Sequence, residues 1–233
     1  MWIYQITASQ QGEAKYAGKE IVIVRTMTCN LKCQQAEGGF DCDTYYTWDK
    51  NRMAKGFHIT SELGLKMVQE EAQKNGANII MLTGGEPFIW AGNEEFREFL
   101  RLCHLRGYEI HVETNGTLNP LPLKGLVDFI VISPKQSQYF NRYNLETVEK
   151  YSEFNHLWKF VVTEVCDIDK IFAWLEKYEI SLTDEIWLMP EGNNIEKLTN
   201  HYNMVERGKA ILNSMNYSDV NISSRLQIVG GFQ

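Results

Sequence analysis

The 233-residue sequence lacks the excess of positive charge, the long apolar run and the even set of cysteines that would mark several common protein classes. Lys and Arg number 23 against 30 Asp and Glu, a net charge of −7. Neutralising nucleic-acid phosphates needs a basic face, so a general nucleic-acid binder is excluded, although a local basic pocket is not. The longest apolar runs are strand-sized and too short to span a membrane. The opening MWIYQITASQQGEAKYAGKE has neither a positive patch leading into an apolar stretch nor a small-residue cleavage site, so no signal peptide is expected. No internal repeat and no low-complexity segment is present. Cysteine is scarce and odd in number, five in all, with three between Cys29 and Cys42. A secreted disulfide framework would spread an even set along the chain, so a metal or redox site in the cytoplasm is the expectation.

What is present is a soluble-globular composition, 44% hydrophobic and 23% charged, with 6 Trp, 11 Tyr and 11 Phe to fill a core. The length suits a single domain over residues 1–233. Short β-branched runs alternate with amphipathic ones. Strands are predicted at Ile21–Arg25, Asn78–Leu82, Glu109–Glu113, Phe129–Ser133, Trp158–Thr163, Glu185–Met189 and Arg225–Val229. Several are apolar nearly throughout, as parallel strands covered on both faces are. Helices are predicted at Thr60–Lys74, Asn93–Arg106, Asp167–Tyr178 and Ile195–Asn213. The clearest is Asn93–Arg106, with Phe96, Phe99, Leu100 and Cys103 on one stripe and Gly107 past its end. This alternation predicts an α/β fold with a mostly parallel sheet, whose chemistry gathers at the carboxyl ends of the strands.

The only long stretch without periodicity, about Cys29 to Phe57, follows the first predicted strand, and a loop of that length is usually functional. Cys29 and Cys33 are separated by three residues, Cys33 and Cys42 by eight. Three thiolates can each take one iron of a four-iron cluster and leave the fourth open to a chelating small molecule. Zinc normally wants a fourth Cys or His nearby, and the nearest His is His58. The spacing favours the cluster and leaves zinc as the alternative. Cys103 and Cys166 read as structural, and the remaining histidines carry no metal spacing.

Three further motifs close successive strands. Thr83-Gly84-Gly85-Glu86-Pro87 offers two glycines for close backbone approach and a carboxylate that suits an amino group, or is a plain strand-to-helix turn. Glu113-Thr114-Asn115-Gly116 ends on a turn signal, and Ser133-Pro134-Lys135 sets a lysine at a strand end, where a solvated lysine is the plainer reading. Arg25 is suited to clamp a carboxylate, or forms an ordinary ion pair. Asp43-Thr44 offers oxygens for Mg²⁺, with turn capping the simpler role for Asp43.

Together these motifs resemble the 7-carboxy-7-deazaguanine synthase family of radical S-adenosylmethionine enzymes. Gln11-Gly12-Glu13 looks like that family's QGEG, with Ala14 in the last position. Cys29–Cys33, Cys42-Asp43-Thr44 and Thr47-Trp48-Asp49 look like its cluster segment. Thr83–Pro87, Glu113–Gly116 and Ser133–Lys135 match TGGEP, ETNG and SPK in order. The eight residues before Cys42 depart from the usual C-x3-C-x2-C spacing. Asp41 takes the usual aromatic position, which leaves Phe40 as the candidate to pack on adenine. The C-terminal RLQIVGGFQ differs from the short members' ending.

The resemblance implies a shortened, modified (β/α) partial barrel, usually a homodimer, that converts 6-carboxy-5,6,7,8-tetrahydropterin to 7-carboxy-7-deazaguanine with loss of ammonia. It implies a 4Fe-4S cluster on Cys29, Cys33 and Cys42, S-adenosylmethionine, Mg²⁺ on Thr44, and a low-potential electron donor such as flavodoxin. No catalytic residue beyond the cofactors is implied. The pterin would meet Gln10, Gln11, Gly12, Arg25, Thr83 and Gly85. S-adenosylmethionine would meet Phe40, Asp41, Asp43, Gly84, Glu86, Glu113, Asn115, Ser133, Pro134 and Lys135. A glycyl-radical activase, which lacks the QGE and TWD segments, and a non-catalytic zinc module are the alternatives.

Overall fold

A computed structural model of the chain describes residues 1–33, 42–49, 56–135, 141–164 and 166–230. These form a nine-stranded sheet in the order β3-β1-β2-β4-β5-β6-β7-β8-β9. The strands are β1 (Trp2–Gln10), β2 (Glu20–Thr26), β3 (Phe57–His58), β4 (Ile79–Gly84), β5 (Glu109–Thr114), β6 (Phe129–Ile132), β7 (His156–Val162), β8 (Ile186–Pro190) and β9 (Val220–Ile222). From β2 to β9 the neighbours are parallel and follow chain order, while β1 runs antiparallel to both β2 and β3. Sequential parallel order is the mark of a (β/α) barrel, since a doubly wound sheet reverses direction part-way. β3 and β9 remain the two edges, so the barrel is partial, as expected.

Helices α1 (Ser61–Asn75), α2 (Glu94–Leu105), α3 (Leu145–Glu149), α4 (Cys166–Lys177) and α5 (Ile195–Ser214) fall between strands, and α6 (Leu226–Val229) follows β9. α1 and α2 start and stop where their sequences require. Thr60 and Asn93 cap their amino ends by accepting from Leu63 N and Phe96 N, and Gly76 (φ 74°) and Gly107 (φ 82°) follow in the left-handed region.

Alternation along the strands sends two sets of side chains to opposite faces. Val22, Val24, Ile80, Leu82, Ile110, Val112, Ile130, Ile132, Trp158 and Phe160 pack against the helices, meeting Val68, Phe96, Phe99, Leu100, Trp174 and Leu212. This is the main core, where each large buried side chain contributes about 1.5–3 kcal/mol. The other face is concave and smaller. Ile21, Ile79 and Met81 pack there with Tyr16, and Phe129, Val131 and Leu157 with Ala14 and Tyr16. The 3₁₀ turn Ala14–Tyr16 thus fills one half of the concavity from inside.

One expected strand is corrected. Arg225–Val229 is not extended: Leu226–Val229 makes a single helical turn, with Val229 N donating to Arg225 O at 3.1 Å. β9 already occupies the sheet edge, and Leu226 N is drawn instead to Gly12 O at 2.9 Å. Among the described residues no helix is long and apolar enough to cross a membrane.

Candidate active site

The cysteine segment leaves β2 directly. Thr28 adopts φ 71°, a costly conformation for a β-branched residue, and its N–H donates to Thr47 O at 3.0 Å. That bond ties the segment before Cys29 to the one after Cys42. Cys29, Cys33 and Cys42 are free thiols. Burial pushes Cys29 up to about 12, with the Glu86 carboxylate and the other two thiols adding to the effect. Cys33 is raised chiefly by burial too, with Cys42 among the charges that reach it.

Such a thiol ionises near neutrality only against strong positive charge, which coordinated iron supplies. Two donors already face the Cys29 sulfur, Leu31 N at 3.5 Å and Asn115 Nδ2 at 4.0 Å, and N–H donors toward sulfur suit a cluster thiolate. Three free thiols, one of them already faced by N–H donors, are a donor set that fits a cluster.

The Thr83–Pro87 turn is packed onto this segment. A Cβ on Gly85 would lie 1.7 Å from Thr28 O, and one on Gly84 (φ 101°) would lie 2.9 Å from the Arg25 Cα. Gly85 N and Glu86 N donate to Thr26 O and Thr28 O at 3.0 and 2.8 Å. The close approach that these glycines permit is thus to the chain's own backbone. Glu86 is buried, and its carboxylate accepts from Phe88 N, Thr114 Oγ1 and Asn115 N at 3.1, 2.7 and 2.8 Å. It braces two motif turns together. Burial raises its pKa, opposed by those same donors.

Asn115 reaches across to the cysteine segment, donating to Asn30 Oδ1 at 2.9 Å. Ser133 N donates to Thr114 O at 2.8 Å, and Lys135 Nζ lies 3.2 Å from Ser133 Oγ. The buried Tyr143 hydroxyl joins the two loops, donating to Asn115 O at 2.7 Å and accepting from Lys135 N at 2.9 Å. Thr44 Oγ1 donates to Gly84 O at 2.7 Å and lies 3.6 Å from Cys42 Sγ. The structure therefore gathers Cys29, Cys42, Asp43, Thr44, Gly84, Glu86, Asn115, Ser133, Pro134 and Lys135 at the carboxyl ends of β2, β4, β5 and β6. Phe40 and Asp41 lie outside the described residues.

The polar part of the concave face holds the second group. Arg25 pairs with Thr83 in register, and Thr83 neighbours Glu113, whose Oε2 is 3.4 Å from the Thr83 hydroxyl. Lys159 on β7 is 3% exposed, its ammonium 2.6 Å from Glu13 and hydrogen-bonded to Glu113. Arg225 donates to Glu13 Oε1 at 3.1 Å and to Asp43 Oδ2 at 3.1 Å, and Gln227 donates to Glu13 Oε1 at 2.8 Å. Burial opposes the charge on Glu13, but Lys159 and Arg225 outweigh it and hold that carboxyl at about 2. Burial likewise opposes the Lys159 charge, and Glu113 and Glu13 overcome it and raise its pKa.

Among the described residues Arg25 makes no side-chain hydrogen bond or ion pair, and its Nε is buried without a partner. Gly12 lies under the Gln227 side chain, where a Cβ would fall 1.9 Å from Oε1. Gln11 turns its amide back on Gly12 N at 3.0 Å. Gln10 is not brought to this group. It pairs with Glu20 at the amino end of β2, and its side chain donates there at 3.2 Å, five residues or about 16 Å along the strand from Arg25.

Glu13 as a side chain of the site, Lys159, Arg225 and Gln227 were not among the expected site residues. A lysine between Trp158 and Phe160 in an otherwise apolar strand was the available signal, because a buried lysine requires a partner.

No protein-family model matches the chain. The 7-carboxy-7-deazaguanine synthase of Pyrobaculum aerophilum is 31% identical over 201 residues, 84% of this chain and 81% of that one. The chain belongs to the 7-carboxy-7-deazaguanine synthase family. The synthase of Rhodopirellula baltica is 29% identical over 215 residues, 84% of this chain and 75% of its own. Among solved structures, QueE from Escherichia coli superposes with a TM-score of 0.63 at 20% identity, covering 95% of this chain and 92% of that one, a likeness of fold.

Proposed function

We propose that the chain is a radical S-adenosylmethionine enzyme that contracts 6-carboxy-5,6,7,8-tetrahydropterin to 7-carboxy-7-deazaguanine, releasing ammonia. The observation that carries this reading is the state of Arg25. On a face where Lys159 is matched by Glu13 and Glu113, and Arg225 by Glu13 and Asp43, Arg25 alone has no anion among the described residues. A guanidinium held so is a ready partner for a ligand carboxylate.

Cys29, Cys33 and Cys42 would hold the cluster. When bound, the cluster and S-adenosylmethionine would supply the radical chemistry that removes hydrogen from C6 of the pterin. The chain's residues position the reactants and exclude water. Gly84, Asn115 and the Ser133–Lys135 segment border the S-adenosylmethionine side, with Glu86 fixing their relative placement. Arg25, Thr83, Gly85 and the Gln11–Gly12 turn border the pterin side. The Thr44 oxygen donates its proton to Gly84 O and keeps lone pairs for Mg²⁺.

The test is an anaerobic assay of reconstituted protein with the carboxy-tetrahydropterin, S-adenosylmethionine, Mg²⁺ and reductant. Mass detection of 7-carboxy-7-deazaguanine together with 5′-deoxyadenosine is the expected result. Deoxyadenosine without the ring-contracted product would overturn the substrate assignment, and zinc without sulfide would overturn the chemistry.

A further inference from the structure

Arg25, Thr83 and Glu113 form one row across three adjacent parallel strands. Arg25 is in register with Thr83, and the β4–β5 ladder runs Leu82 to Val112, so the next pair is Thr83 and Glu113. All three project from the concave face. Strands stand about 4.8 Å apart, so β2 and β5 are separated by about 10 Å. That is roughly the length of a two-ring heterocycle carrying a carboxylate at one end. Its carboxylate would lie at the Arg25 end, and the opposite end of the row presents a carboxylate.

The two carboxylates near Lys159 are used very differently. Glu13 is saturated: Oε2 accepts from Lys159, while Oε1 accepts from Arg225 and Gln227. Glu113 gives Oε1 to Lys159, but among the described residues its Oε2 has only the Thr83 hydroxyl at 3.4 Å, a long contact for an O–H donor. Each carboxylate oxygen has two acceptor sites, so Oε2 has room for a ligand donor. Lys159 takes no part in the chemistry proposed above, yet it is buried and draws together a segment after β1, strand β5 and its own strand β7. Its double pairing fixes the direction of Glu113.

We propose that Glu113 recognises the amino-pyrimidinone edge of the pterin through its Oε2, and that Lys159 is the residue that positions it. The neighbouring N–H and NH₂ groups of that ring edge are the donors a fixed carboxylate accepts. Arg25 and Glu113 then grip opposite ends of one substrate and set which carbon faces the radical. The inference rests on the pterin reading above and assigns Glu113 to the substrate instead of to S-adenosylmethionine.

The experiment measures binding of two stable probes to the holoenzyme with S-adenosylmethionine and no reductant. The probes are 6-carboxypterin and 6-carboxylumazine, which share the carboxylate and differ in the 2-amino group, a carbonyl in the lumazine. Wild type should prefer the pterin by at least about tenfold, since a site built for a donor rejects an acceptor there. Glu113→Gln, whose amide can donate, should weaken the pterin at least about tenfold and level the preference. Lys159→Met should erode the preference as well. If it does not fold, the balanced Lys159→Met/Glu113→Gln pair replaces it, and should show no preference beyond that of Glu113→Gln alone.

A Glu113→Gln enzyme that keeps the wild-type preference would overturn the inference, as would a wild type that binds both probes equally and loses both in Arg25→Ala. A wild type that binds neither probe would instead overturn the pterin reading itself.

Discussion

The concave face has two halves built from the same strands. Ile21, Ile79, Met81, Phe129 and Leu157 line one half, closed by Ala14 and Tyr16. Two or four residues farther along β2, β4 and β7, on the same face, stand Arg25, Thr83 and Lys159, with Glu113 beside Thr83 on β5. The shift is about 7–13 Å at strand rise. In the first half the chain itself fills the space, so apolar side chains gain by burial. In the second, the charges of Lys159 and Arg225 are matched by Glu13, Glu113 and Asp43, whereas half-buried Arg25 has no anion among the described residues. A guanidinium whose Nε is buried without a partner adds little to folding, so its place there suits a ligand.

The strongest way to break the comparison is to remove what lies beyond the polar half. Cys29→Ala, Cys33→Ala or Cys42→Ala should each lower deoxyadenosine formation by at least about three orders of magnitude, through loss of the cluster. Cys103 is buried against the helices and should behave differently. Cys103→Ala should leave deoxyadenosine formation at the wild-type level. Full activity in Cys42→Ala would show that the third ligand is misassigned.

A paired substitution compares the halves directly. Arg25→Ala should raise KM for the pterin about 30- to 100-fold, the value of a charged hydrogen bond, with Tm unchanged or slightly higher. Met81→Ala, two residues back on the neighbouring strand and 2% exposed, should cost about 2–5 kcal/mol of stability while KM stays within about twofold. If both variants moved KM alike, the division of the face would be wrong.

The outer core was legible because its rule is local. Phe96, Phe99, Leu100 and Cys103 recur at helical spacing, and the continuous apolar runs of β4 and β6 suit strands covered on both faces. β1 was not read, because as an antiparallel strand near the sheet edge it mixes Gln5, Thr7 and Ser9 with apolar residues and lies half exposed. The motif turns were legible as turns with chemistry. Their internal use was not: nothing local says that Gly85 is glycine because Thr28 O lies against it, or that the Glu86 carboxylate is consumed by Asn115 and Thr114. Glu13, Lys159 and Arg225 come from distant segments, and only the fold makes them neighbours. The Arg225–Val229 expectation failed because an apolar run suits a strand or one helical turn equally, and contacts with Gly12 decided between them.

The gentlest test concerns Glu13, the carboxylate that joins the polar half to the C-terminal segment. Its pKa is held at about 2 in the fold against an ordinary 4.5. A depressed carboxyl contributes stability that is complete above the unfolded value and disappears as pH falls through the folded one. The contribution should therefore be full above pH 4.5 and be lost progressively between 4.5 and 2. Glu13→Gln keeps the shape and removes the charge, leaving Lys159 with Glu113 alone. Urea midpoints of wild type and Glu13→Gln should differ most at neutral pH and converge as the acid limit is approached. A difference that stays constant from pH 7 to 3 would mean that Glu13 is held by its shape and not by its charge, and the polar half would then owe less to Lys159 than its distances imply.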